Sequence, residues 1–252
     1  MTATLRVTLL FALVPVCFTI VGAAAGAYWP AMRRLRSHVL YLAAGVVFSV
    51  VAVELLPEIQ RRALIWNVVL GFVLGIGTML AVDRVLDRIR GSDDDETSDA
   101  SVSTSRPTVG LSLLVAIGID FLLDGLLLGV GFAAGARIGI LLALAEAAEQ
   151  LSVGLAFASE MMNAGISRAR IVSTVSALGS LVFASAVLGG TVLSRLSGGA
   201  MEVVLSFGVA ALLYLVTEEL LREAHKERET TTGTIVFFVG FPSFLVIGLV
   251  LK

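Results

Sequence analysis

Four carboxylic acids lie inside strongly apolar stretches of this 252-residue chain. The stretch IDFLLDGLLLG carries Asp120 and Asp124, and the stretch ALAEAAEQLSVG carries Glu146 and Glu149. Residues three or four positions apart lie on one face of a helix, so each pair predicts two acids on one side of a helix. Two chemistries would compensate such acids: protonation, which removes the charge, or coordination of a cation by carboxylate oxygens.

Neither stretch offers an internal counter-charge, because no lysine or arginine lies within it. A charged side chain at the middle of a bilayer costs on the order of 3 kcal/mol, so four uncompensated carboxylates would cost about 12 kcal/mol. A bound cation is therefore one interpretation. The other is a set of protonated acids that bridge helices or lie near an aqueous vestibule. Gln150, next to Glu149, has two open roles as well: an amide oxygen ligand, or a hydrogen bond to a neighbouring helix.

The composition indicates an all-α integral membrane protein. Hydrophobic residues make up 57% of the chain, charged residues make up 15%, and the mean hydropathy is +0.96, outside the range of soluble domains with charged surfaces. The formal net charge of -2 argues against a nucleic-acid partner. Cys17 is the only cysteine, so an internal disulfide is excluded.

Apolar runs of about 20 residues have the length that spans a bilayer as a helix, and the sequence contains eight. They lie near residues 5–29, 38–57, 64–83, 108–135, 138–162, 168–192, 200–221 and 233–251. The first run is too long for the apolar core of a signal peptide, so we expect it to be retained as a helix.

The orientation follows from the arginines, which are retained in short loops on the cytoplasmic side. Most of them follow the first, third, fifth and seventh runs, which predicts that both termini face outside in a multi-pass protein of the cell membrane. We divide the chain into residues 1–83 with three helices, a flexible acidic cytoplasmic loop over 84–107, residues 108–162 with the two acid-bearing helices, and residues 163–252 with three more. The loop prediction rests on RIRGSDDDETSDASVSTSRP, a solvated, polar composition.

Two internal echoes favour a repeat architecture. The stretch DGLLLGVGFAA from Asp124 resembles EQLSVGLAFAS from Glu149, so that an acid, a glycine and a phenylalanine recur 25 residues later. ELLPE at 54–58 also resembles ELLRE at 219–223, at the ends of two helices that cross in opposite directions. Inverted repeats around a central polar site are typical of secondary transporters, so we expect an inverted 3+2+3 repeat of eight helices.

Motifs in four of the runs carry a family resemblance. DFLLDG at 120–125 and AEAAEQ at 145–150, with AAGVVFSVVAVELLPE in the second run and TEELLREAH in the seventh, resemble the Zrt/Irt-like (ZIP) divalent metal transporters. The fourth-helix motif of that family is typically His-Asn-x-Pro-Glu-Gly, and the fifth-helix motif is commonly His-Glu-x-Pro-Glu-Gly. The resemblance covers nearly the whole chain.

The resemblance implies a metal site in the fourth and fifth helices. Asp120 takes the histidine place and Asp124 the acid place of the first motif, while Glu146 and Glu149 keep both acids of the second. Gln150 takes the place of a glycine and completes the predicted ligand set. The sequence departs from the family pattern at Phe121, Leu123, Ala145 and Ala148, which replace the amide, two prolines and a histidine.

No histidine lies in the predicted site, since the only two, His38 and His225, lie at helix ends. Imidazole suits zinc, whereas an all-oxygen site suits harder ions such as manganese, magnesium or calcium. The resemblance implies transport of a zinc, iron or manganese class of ion toward the cytoplasm by alternating access. It also implies a moving bundle of the first, fourth, fifth and sixth helices, and pairing into a homodimer. The ion is substrate, and we expect neither a cofactor nor an enzymatic reaction.

Two other classes of protein are alternatives to a transporter. An intramembrane aspartyl protease needs its aspartates on different helices and a Gly-x-Gly-Asp motif, whereas here GID lacks the second glycine and both aspartates share one helix. A ZIP-like membrane scaffold or metal sensor that no longer transports is the stronger alternative. The absence of histidines from the motifs fits a protein that has lost transport, whereas the retention of four acids at motif places does not.

Overall fold

A computed structural model describes residues 3–29, 32, 35–62, 64–96, 111–193, 195–196, 198–225 and 231–250. Over these residues the chain is helical and contains no strand. Eight helices are long and apolar enough to span a membrane, which confirms the predicted number and is expected of a multi-pass membrane protein.

The eight helices follow the predicted runs in order. They are α1 (Ala3–Tyr28), α2 (Arg36–Val50, continued by Val51–Leu55 and Leu56–Arg62), α3 (Ile65–Glu96), α4 (Leu111–Ala134), α5 (Ala136–Asn163), α6 (Arg168–Leu193), α7 (Gly199–Tyr214, continued by Leu215–Leu221 and Arg222–His225) and α8 (Thr231–Val250). The helix α3 continues to Glu96, beyond its apolar run and into the segment predicted as a loop. Residues 97–110 of that loop lie outside the described residues.

The helices form two bundles of four. In the first bundle α1 packs mainly against α5 and α6, and α4 packs against α6; in the second bundle α2 packs against α8, and α3 packs against α7. The main contact between the bundles is that of α2 with α5, and a smaller one joins α4 to α7. These pairings correspond to one another when α1, α2 and α3 are exchanged with α6, α7 and α8, in that order, and α4 is exchanged with α5. The pairing of α1 with α5 then becomes that of α6 with α4, and the pairing of α2 with α8 becomes that of α7 with α3.

Glycines bring the helices within each bundle into backbone contact. A Cβ atom added at Gly154 in α5 would lie 2.8 Å from the backbone nitrogen of Ala23 in α1, and one added at Gly71 in α3 would lie 2.5 Å from the Val203 oxygen in α7. Backbone atoms cannot be displaced as a flexible side chain can, so these pairs are held at close range. Similar contacts are made by Gly22, Gly45, Gly125 and Gly129.

The interface between the bundles is built from larger side chains. Val50 of α2, Leu128 of α4, Leu142 of α5 and Leu212 of α7 belong to one buried hydrophobic cluster. At Gly208 of α7 an added Cβ would meet only side-chain atoms across this interface, the nearest at 3.3 Å. Close backbone contacts thus hold helices together within each bundle, whereas Gly208 meets only side chains of the other bundle.

Both copies of the ELL echo coincide with a π-helical segment. The segment Val51–Leu55 interrupts α2 and contains Glu54, and the segment Leu215–Leu221 interrupts α7 and contains Glu219. A π-helical turn inserts an extra residue into the helical repeat and therefore rotates the side chains that follow; such turns are frequent at functional sites.

Candidate functional site

The predicted acids lie near the middle of α4 and α5, within the first bundle. Asp124, Glu146 and Glu149 are 2%, 2% and 3% exposed, and Gln150 is fully buried. Asp120, one turn before Asp124, is half-buried. Neither α4 nor α5 is interrupted over these positions, and Gly135 alone separates the two helices in the chain. This short connection sets α4 and α5 side by side.

Asp124 is held by a hydrogen-bonded chain that links three helices. The amide nitrogen Nε2 of Gln150 in α5 donates to Oδ2 of Asp124 in α4 at 2.6 Å. The hydroxyl of Thr19 in α1 donates to the amide oxygen Oε1 of Gln150 at 2.8 Å. Of the two roles open to Gln150, the structure therefore shows a hydrogen bond to neighbouring helices.

A polar cavity of about 500 Å³ reaches Asp120 and Glu149 from the end of the molecule at which α3, α5 and α7 finish. We call this the basic end, because the arginine-rich segments follow these helices. Five further acids line the cavity: Asp83, Asp87, Glu160, Glu218 and Glu219. Arg36 and Arg222 also line it. The cavity therefore connects two of the predicted site residues to the basic end, and acids outnumber arginines along its wall.

The buried carboxyl groups lie close enough to act on one another electrostatically. Asp124 interacts with Asp120, Glu149 and Glu219, and Glu146 interacts with Asp124. Like charges at short range in a medium of low dielectric repel strongly. The group therefore requires protons or a cation if it is to remain buried.

Glu146 is the least satisfied of the four acids. Both of its carboxyl oxygens are buried and have no hydrogen-bond partner within the described residues. A buried polar group without a partner destabilises the folded state by about 1 to 3 kcal/mol. Stability therefore does not explain why Glu146 lies in the interior. Coordination of a cation would supply one.

Replacement of Glu146 by methionine is expected to raise the free energy of unfolding by about 1 to 3 kcal/mol, because an apolar side chain of similar length removes the unpaired oxygens. The measurement is the melting temperature of the purified protein in detergent. Glu146→Gln, which keeps a polar group in place, serves as the matched control and should gain less. A lower melting temperature for Glu146→Met would contradict the assignment of Glu146 as an unsatisfied buried acid.

The four acids are neighbours but do not converge on one point. Among the described residues, no group of three or more histidine, cysteine, aspartate or glutamate side chains is arranged to hold a metal ion. Asp124 is engaged by Gln150, Glu149 lines the cavity, and Glu146 is enclosed. Side-chain rotation would be needed to bring three carboxylates to one ion, and the predicted ligand set remains a prediction.

Sequence reasoning missed part of the cavity wall. Asp83 and Glu219 are not among the predicted site residues, although both line the cavity. The available signal was the ELLRE echo, since Glu219 corresponds to Glu54 of ELLPE. Asp83 accepts a hydrogen bond from the Tyr214 hydroxyl, a contact between residues far apart in sequence.

The two histidines lie at helix ends, as predicted. The ring of His225 packs edge-on against Tyr41 with a centroid separation of 5.5 Å, and its Nδ1 lies 2.5 Å from the Leu221 carbonyl oxygen. His38 belongs to the first turn of α2. Neither histidine is among the residues that line the cavity at Asp120 and Glu149.

Comparison with known proteins assigns neither a family nor a function to this site. No protein-family model matches the chain, and no curated protein shows significant sequence similarity to it.

Proposed function

We propose that the protein is a secondary transporter that moves divalent metal cations across the membrane toward the cytoplasm by alternating access. The observation that carries the proposal is a group of four acids at the middle of α4 and α5, three of them buried, of which Asp120 and Glu149 line a polar cavity that reaches one end of the molecule. Ionisable residues at the centre of a membrane helix bundle commonly mark the path of an ion.

The packing of the helices supports an inverted 3+2+3 repeat and a two-bundle mechanism. The pairings of α1 with α5 and of α2 with α8 have counterparts in α6 with α4 and in α7 with α3. The π-helical segments of α2 and α7 follow the same exchange. Rocking of one repeat unit or bundle against another around a central site is the usual mechanism of such transporters. The family resemblance implies that the first bundle, which carries the acids, is the moving unit.

The chemistry of the acids favours a hard divalent ion. Carboxylate and amide oxygens without imidazole suit manganese, magnesium or calcium better than zinc. The ligands of this proposal are Asp120, Asp124, Glu146 and Glu149. The acids of the cavity wall would then receive or deliver the ion at the basic end. A divalent charge would also offset the repulsion among the buried carboxylates.

A second candidate function is a transport-inactive ZIP-like scaffold or metal sensor in the membrane. The observation that favours it is the lack of convergence of the acids: within the described residues they form no arrangement of three ligands. A sensor needs only to bind an ion, and a scaffold needs neither binding nor transport. Flux and binding therefore have to be measured separately.

The decisive experiment is reconstitution of the protein into liposomes that contain metal-sensitive dyes. Influx of manganese, iron, zinc, cobalt, cadmium and calcium is measured against protein-free liposomes of the same lipid. Saturable influx of at least one ion, with manganese above zinc, is the expected result. Correctly folded protein that conducts none of these ions above the protein-free rate would overturn the transporter, and binding without flux would favour the sensor.

A further inference from the structure

Thr19 and Gln150 together block one oxygen of a proposed cation ligand. Gln150 is fully buried, its amide nitrogen lies 2.6 Å from Oδ2 of Asp124, and its amide oxygen lies 2.8 Å from the Thr19 hydroxyl. An amide group presents donors on one side and an acceptor on the other. The orientation of the Gln150 amide therefore decides whether Asp124 faces a hydrogen-bond donor or an oxygen atom.

The hydroxyl of Thr19 is placed to fix this orientation. It also lies 2.8 Å from the carbonyl oxygen of Pro15, and a hydroxyl group has one proton to donate. Residues 15 and 19 are both within the α-helix Ala3–Tyr28, where the backbone N–H of residue 19 bonds the carbonyl of residue 15. The Pro15 oxygen thus has a donor already. The amide oxygen of Gln150 is buried and needs one.

We propose that Thr19 is a positioning residue for the cation site: it holds the Gln150 amide with its nitrogen toward Asp124, where this group competes with the cation. The inference rests on the proposed function. A cation that binds Asp124 through Oδ2 has to displace the amide nitrogen, or the amide has to rotate and present its oxygen to the ion. Rotation breaks the hydrogen bond from Thr19. Thr19 therefore lowers the affinity for the cation without preventing its binding.

Removal of the hydroxyl changes this balance in a definite direction. In Thr19→Val the side chain keeps its shape, but the amide oxygen loses its donor in the metal-free protein. A bound cation can take that oxygen as a ligand, so the metal-free form loses a hydrogen bond that the cation-bound form does not use. The affinity for the cation consequently rises. One net hydrogen bond corresponds to a decrease in Kd of about threefold to tenfold.

The test is a titration of purified, detergent-solubilised protein with Mn²⁺, in which free Mn²⁺ is measured by electron paramagnetic resonance. Thr19→Val is expected to lower the Kd for Mn²⁺ by about threefold to tenfold, and Thr19→Ser, which restores the hydroxyl, is expected to return it to the wild-type value. Thr217→Val is the matched control, because the hydroxyl of Thr217 donates to the Leu213 carbonyl within its own helix. This variant should bind as the wild type does.

A second variant separates positioning from general structural damage. Gln150→Leu removes the amide nitrogen and the amide oxygen together, and Thr19→Val should change the Kd no further in the Gln150→Leu background, because Thr19 acts only through Gln150. Thr19→Ala, which also removes the hydroxyl, decides the question if Thr19→Val does not fold. A Kd that is unchanged or raised in folded Thr19→Val, or an effect of Thr19→Val that persists in the Gln150→Leu background, would overturn the positioning role. Wild-type protein that binds no Mn²⁺ would instead overturn the proposed Mn²⁺ site itself, and the positioning role with it.

Discussion

Simultaneous replacement of Asp124 and Glu149 by alanine is expected to reduce saturable cation influx into liposomes by about 100-fold or more. Loss of even the outer-shell partners of metal ligands costs about 10-fold to 100-fold in affinity or activity, and this variant removes one acid from each of the two helices. The two residues are 2% and 3% exposed and interact with the same neighbouring acid, Asp120. The measurement is the initial rate of dye response as a function of Mn²⁺ concentration.

Glu202→Ala is the matched control for the loss of a carboxylate. Glu202 lies in the first turn of α7, where its Oε2 accepts hydrogen bonds from Asn67 and from the backbone of Leu64, so its loss should affect stability but leave the concentration dependence of influx unchanged. If the Asp124/Glu149 double variant still transports at the wild-type rate, the buried acids are not the ion path. Loss of influx in Glu202→Ala to the same degree would show that the effect is structural.

Replacement of Gly154 by alanine is expected to destabilise the protein by about 3 kcal/mol or more, the upper range for overpacking of a well-packed site. The added methyl group would overlap the carbonyl oxygen of Thr19 and lie 2.8 Å from the nitrogen of Ala23. Both atoms are backbone atoms of α1, so the helices α1 and α5 would have to separate. The loss should appear as a lower melting temperature in detergent and a reduced yield of monodisperse protein.

Gly77→Ala provides a control within the same chain. Gly77 also lies inside a membrane-length helix, α3, but a Cβ atom there would meet no atom of any other helix that the structure describes within 4 Å. Alanine has the higher helix propensity by about 1 kcal/mol, so this variant should be neutral or slightly more stable. Equal stabilities for Gly154→Ala and Gly77→Ala would contradict the close packing of α1 on α5.

The helices could be predicted from the sequence because each depends on local composition. Apolar runs of membrane length and the charged breaks between them determine all eight spans. Helix ends were less predictable: the apolar run of α3 ends near residue 83, but the helix continues to Glu96. Hydropathy reports where a chain can lie in lipid, whereas a helix can extend beyond the lipid wherever its backbone hydrogen bonds continue.

The acids of the site were predictable for a similar reason. Spacings of three and four residues place Asp120 with Asp124, and Glu146 with Glu149, on helix faces, and their cost in an apolar segment marks them as exceptional. What each acid contacts was not predictable. Glu146 lacks a hydrogen-bond partner within the described residues while Asp124 is held by Gln150, although both acids lie in equally apolar sequence.

The sequence by itself determined a membrane protein of eight helices with four acids in two of them, since hydropathy and helical periodicity are properties of neighbouring residues. Only the tertiary structure decided that Thr19 of α1 donates a hydrogen bond to Gln150, and that Glu219 and Asp83 join Asp120 and Glu149 around one cavity. These contacts join residues on different helices, whose relative rotation depends on glycine packing and on the π-helical turn in α7. Local sequence carries no measure of that rotation, so the partners of each acid emerge only when the helices are packed together.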